Sequence, residues 1–271
     1  MINFSSICKK AFKHLLTPHN YSIWKGFFYK DLNNDSLLFL RFKKNVLSRM
    51  NSTIEACIGI LPYCADLKAS DFEILEDDWG FDLVTIYKRI MPDKLSGEFI
   101  KVRVNASDDE STLNSLNLIC EDMKNSILPY IHKFVDLKFL YSEYLYYLDI
   151  YRSELIYGLS LKLHEYSNAL IYVNSRLSDI YAQIENKNIY RIKLNNGEID
   201  ETILKLQKKK PNIIEELIKI CEFEIVESEK EVKQMILVKT ALLENDYSYL
   251  DELVGATEKN SREFIYNMLM I

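Results

Sequence analysis

Apolar side chains recur at steps of three and four from Phe4 through Ile7, Cys8, Ala11, Phe12 and Leu15 to Leu16, which predicts a helix with one buried stripe. Thr17-Pro18 ends it, and the period then falls to two. Ser22–Tyr29, Leu37–Lys43, Ile54–Ile60, Leu83–Arg89 and Phe99–Val104 are short runs rich in aromatic and β-branched residues, separated by polar turn residues. They predict an antiparallel sheet, because Leu32-Asn33-Asn34-Asp35-Ser36 is hairpin length, whereas parallel strands need a crossover of about a dozen residues or more. Ile100, Val102 and Val104 alternate with Lys101 and Arg103, so one face of that sheet is expected to meet water.

Beyond Asp108-Asp109-Glu110-Ser111 the helical period returns. Leu113, Leu116, Ile119, Cys120, Met123 and Ile127 trace a stripe that Pro129 is expected to bend or end. A second pattern starts near Val135, runs past Leu163 and extends to Ile184, with Asn186-Lys187-Asn188 as its expected end. After Asn195-Asn196-Gly197 come helical stretches at 199–209, 212–221, 227–244 and 247–270. No matching period of 20–50 residues supports a repeat array, so a bundle is the simpler expectation. The predicted class is α+β: an N-terminal antiparallel sheet of about five strands with flanking helices, then an all-α bundle. The division falls softly near residue 137, giving 1–137 and 138–271. No Gly/Ser-rich or Pro-rich linker marks it, so one compact body is expected.

Charge removes several function classes. The 34 basic and 40 acidic residues leave a formal charge of −6. Cut after Leu137, the parts carry −1 (17 basic, 18 acidic) and −5 (17 basic, 22 acidic). Neither part has the basic excess of a duplex-binding protein. The run Lys208-Lys209-Lys210 precedes Pro211 and reads as a solvated helix end. The 7 glycines never come closer than seventeen positions, which excludes glycine-rich phosphate loops. Five widely spaced cysteines, with no C-x2-C pair, support neither a zinc ribbon nor a disulfide framework. No apolar run reaches signal-peptide or membrane-span length, so the expected location is the cytoplasm and no membrane partner is expected.

Candidate chemistry is thin. Pro92-Asp93, Glu98 and Lys101 resemble a nuclease metal site, but the second acid and the lysine are three apart where two would put them on one strand face. Asp71, Glu73, Glu76, Asp77 and Asp78 could hold a divalent cation, yet lack the spacing of a calcium loop. His14, His19, His132 and His164 form no i+3 or i+4 metal pair and read as surface or cap residues. No serine or cysteine sits in a nucleophile signature. No cofactor and no metal are expected. Tyrosine stands out: 18 in the chain, eight of them between Tyr141 and Tyr172. Tyr144, Tyr147 and Tyr151 share one helix stripe. Such residues pack between helices or serve protein interfaces, where they bring a large contact area and a polar tip.

The order of a helix, the strand Trp24-Lys25-Gly26-Phe27-Phe28-Tyr29, hairpin strands and the helix end Ile127-Leu128-Pro129-Tyr130-Ile131-His132-Lys133-Phe134 resembles a family of bacterial domains of unknown function, number 4304 in that series. The likeness covers about residues 4–140 and implies a small bacterial α+β domain, with no catalytic residue carried over. The sequence thus favours a non-enzymatic binding protein of bacterial or phage type that inhibits or sequesters a basic protein partner, as an immunity or counter-defence protein would. The expected contact residues are Asp77, Asp78, Trp79, Tyr144, Tyr147 and Tyr151. The alternatives are a metal-dependent enzyme on nucleic acid or nucleotide, using the 71–78 carboxylates, and an adaptor or self-assembling subunit that oligomerises through its helical part.

Overall fold

The structure, a computed structural model, describes residues 4–24, 27–33, 35–46, 52–65, 102–104, 117, 120–121, 123–146 and 153–270. The fold is α+β. Helix α1 (Phe4–Leu16) precedes strands β1 (Ser22–Trp24), β2 (Phe27–Leu32), β3 (Ser36–Val46), β4 (Ser52–Pro62) and β5 (Val102–Val104). Helices α2 (Leu137–Tyr146), α3 (Ser153–Lys162), α4 (Tyr166–Asn195), α5 (Glu201–Lys209), α6 (Ile213–Glu244) and α7 (Tyr247–Met270) follow. The contacts group into two units, residues 1–164 with 253–271, and residues 165–252. A cut after residue 137 would separate α2 and α3 from the sheet, whereas these groups keep them with it.

The sheet is antiparallel throughout, in the order β1-β2-β3-β4-β5. The run Ser22–Tyr29, expected as one strand, is two: Trp24 pairs with Phe27, so Lys25 and Gly26 alone connect them. Asn33, at φ 52°, makes the β2–β3 turn, and Asp35 N–H donates to Leu32 O at 3.0 Å. Asparagine tolerates this left-handed backbone because its short amide bonds locally. The expected strand 83–89 lies outside the described residues.

Both sheet faces are covered at the described end of the central strands. Phe28, Leu32, Leu38, Leu40 and Ile60 share one face by register and are buried. The ring of Phe12, on α1, meets Phe28 edge-on at 6.5 Å. Leu37, Phe39 and Leu61 fill the opposite face. The wet face expected from the last strand therefore does not extend here, because helices supply apolar cover on both sides. On the second side Gly158 of α3 meets the β4 end so closely that a Cβ there would stand 2.5 Å from the Cys64 carbonyl oxygen. Gly158→Ala is expected to push α3 away and cost about 1–3 kcal/mol, as overpacking does. A urea titration that leaves the midpoint unchanged would show the contact to be soft.

Helix α7 closes the same corner. Ser261 Oγ donates to Ala65 O at 2.8 Å, and the Arg262 guanidinium lies 5.2 Å from the Tyr63 ring centre. Lys162 Nζ bridges Glu258 at 2.8 Å and Asp35 at 3.8 Å. Buried beside them, the Cys64 thiol is pushed up from near 9 to about 12, by desolvation first and the Glu258 charge second, against Lys162. Burial likewise raises the Tyr21 and Tyr63 hydroxyls, and the bond to Asp31 at 2.8 Å adds to the effect at Tyr63. In the unfolded chain these groups ionise first, so their stabilisation is complete below about pH 9 and fades as pH rises toward their folded values. The urea midpoint should hold to about pH 8.5 and then fall, with Cys64→Ala flattening the early part of the decline; an unchanged slope in that variant would assign it to other groups.

Between sheet and helices the chain passes through a π turn (Met123–Ile127), an α turn (Leu128–Ile131) and a 3-10 turn (His132–Val135). Pro129 neither ends the helical path nor breaks it. A widened turn before it relieves the clash of its ring with the preceding carbonyls.

In the second unit, α4 and α6 run antiparallel, as their ion pairs show: Arg176 meets Glu231 at 2.7 Å, Lys187 meets Glu224 at 3.3 Å and Arg191 meets Glu222 at 3.8 Å. Buried Cys221, Ile225, Ser228 and Val232 step four, three, four along α6, and Val173, Leu177 and Ile180 step four, three along α4. That is the two-helix seam of a coiled coil. It overrides two expected breaks. Helix α4 continues through Asn186-Lys187-Asn188 to Asn195, because Lys187 is held by Glu224, and it stops where Gly197 takes φ 74°. Helix α6 is continuous where two stretches with a gap at 222–226 were expected, since Ile225 belongs to the seam. Asp200 caps α5 by accepting from Thr202 and Ile203 N–H at 2.8 and 2.9 Å. Lys208 and Lys209 form its last turn and are exposed, the solvated helix end expected of that run.

Candidate functional site

A helix of 32 residues rises about 48 Å, and α6 has one seam face and a long outer one. At about 100° per residue, Phe223 lies roughly 200° around the helix from the seam residue Cys221. It is 66% exposed. Ile220 (51%) stands one turn before it and Val226 (49%) one turn after, so the three form a ridge on the outside of the coil. Scattered exposed apolar residues are ordinary on protein surfaces; a consecutive ridge on one helix is a candidate contact.

The ridge sits in an acidic field. Between Ile213 and Glu229 there are six glutamates and one lysine. Glu222 and Glu224 turn to the cations of α4, and Glu227 pairs with Lys230 at 2.6 Å. Glu215, Glu216 and Glu229 meet no cation among the described residues. Glu215 and Glu216 also stabilise the positive end of the helix dipole. The arrangement offers apolar contact flanked by unpaired negative charge.

Other chemistry is sparse among the described residues. No three His, Cys, Asp or Glu side chains gather to hold a metal. Cys64, Cys120 and Cys221 are free thiols, and desolvation raises each, Cys120 to about 11. They stay protonated at neutral pH and are poor nucleophiles. Among the described residues no helix is long and apolar enough to cross a membrane.

Of the contact residues expected from sequence, Asp77, Asp78, Trp79, Tyr147 and Tyr151 lie outside the described residues, as do the carboxylates at 71–76 and the Asp93, Glu98 and Lys101 set. Tyr144 lies in α2, with only its backbone described. The described tyrosines nearby act in packing. Tyr141 is buried, its hydroxyl 3.0 Å from Ser160 Oγ, and Tyr166 stacks on Tyr247 with ring centres 4.8 Å apart. His164 caps the end of α3 at φ 61°, the cap role expected of it. Sequence reading missed the ridge because it placed a break at 222–226 and gave Phe223 no helix face. The signal was present in the unbroken four-three steps from Cys221 to Val232.

Searches against protein-family models, curated proteins and solved structures find no match. No residue role comes from outside the chain.

Proposed function

We propose that this chain is a non-enzymatic protein-binding protein that sequesters or inhibits a basic protein partner in the cytoplasm, and that the outer face of α6 is its docking surface. The observation that carries the reading is the Ile220, Phe223 and Val226 ridge flanked by uncompensated glutamates. Apolar burial supplies affinity, and opposite charge supplies steering and partner choice. An acidic surface repels its own copy, which favours a basic partner over self-assembly through this face. The likeness of residues 4–140 to the bacterial domain family fits a bacterial or phage setting and rests on the sequence alone.

Sedimentation of the full chain, alone and mixed with proteins eluted from it at high salt, tests the reading. A monomer at micromolar concentration that forms a stoichiometric complex with a basic protein, weakening steeply between low and high salt, is expected. Concentration-dependent self-association with no such complex would replace it with the self-assembling subunit.

A further inference from the structure

We infer that the corner formed by His19, Lys30, His132 and Tyr21, in the sheet-bearing unit, binds a small oxyanion of the phosphate class. Side chains from three segments converge there: His19 and Tyr21 after α1, Lys30 on β2, and the remote His132. Ser22 pairs with Tyr29, so the next position along sets Tyr21 across from Lys30, and Lys30 Nζ lies 5.6 Å from the Tyr21 ring centre. The turn after α1 brings the His19 ring to 5.9 Å from the ring of His132 on the 3-10 turn. His132 is exposed, while His19 and Lys30 are half-buried, so solvent reaches the corner.

The local charge is one-sided. The charges felt by His132 among the described residues are those of Lys30 and His19; after desolvation, both hold its protonated form down. Asp31, the neighbour of Lys30, belongs to the other sheet face and accepts from Tyr63. Asp136 caps the following helix by accepting from Lys138 N–H at 2.9 Å. The Tyr21 hydroxyl is buried and meets no hydrogen-bond partner among the described residues. An oxyanion between the two imidazoles and the ammonium would reverse the mutual repulsion and accept bonds from all three. Its uptake would draw a proton onto His132, so affinity rises as pH falls.

The test follows the ring C2–H signals of all four histidines in the full chain by NMR at fixed ionic strength. Sulfate, a dianion across the range, isolates the pH dependence of the protein; inorganic phosphate and glycerol phosphate then separate a free ion from a phosphomonoester by which binds more tightly. Saturable shifts confined to His19 and His132 are expected, with His132 titrating at higher pH when the site is filled. Lys30→Met and His19→Gln should each weaken binding about tenfold, with unchanged unfolding midpoints. Linear shifts of equal size at all four histidines, or wild-type affinity in both variants, would overturn the site.

Discussion

Replacing Ile220, Phe223 and Val226 together by serine is expected to reduce partner binding by about a hundredfold or more while leaving the fold intact. Each residue is about half exposed or more, so docking can cover much of its surface. Burial at an interface returns about 1–1.5 kcal/mol for such a residue, and three of them give roughly 3–4 kcal/mol, which is a hundredfold to a thousandfold in affinity. Serine has nearly the helix propensity of isoleucine, phenylalanine and valine, and none of the three residues enters the seam, so α6 itself should not weaken. Complex formation is read by sedimentation, and helicity and melting by circular dichroism. A variant that melts normally and still binds would remove the ridge from the account; one that melts early calls for the single Phe223→Ser change, which should cost about tenfold by the same reasoning.

Phe39→Ala is expected to be the most damaging change to the sheet-bearing unit. The side chain is fully buried in the central strand β3, with its ring 6.5 Å from that of Tyr29. Deleting an aromatic ring there loses its transfer free energy and leaves a cavity that strands paired on both sides cannot close, at about 3–5 kcal/mol. That is a large part of the margin by which a domain stays folded. Urea titration should show the midpoint falling sharply with an unchanged slope. A loss below about 1 kcal/mol would mean that this face of the sheet is not the packed centre described above.

Much of the fold was legible because periodicity reports burial directly. The stripe from Phe4 to Leu16 became α1, the β2–β3 hairpin formed at Asn33, and α7 spans the residues read for it. The misses share a cause. At Asn186-Lys187-Asn188 and at 222–226, local propensity suggested breaks, but pairing of α4 with α6 holds both helices through those points. Tertiary contact overrode a weak local preference. Between Ser22 and Tyr29 the reverse happened: what composition read as one strand pairs with itself as two. The meeting of His19 with His132 was invisible for a plainer reason: no local pattern encodes contact between residues so far apart along the chain.

Photocrosslinking from position 223 in the native host tests the central claim most directly. With a benzophenone side chain in place of Phe223, the account predicts one dominant adduct with a basic protein, lost when Ile220 and Val226 are also serine and absent from a probe placed on the seam at Ile225. Adducts only with a second copy of this chain, or none, would contradict it.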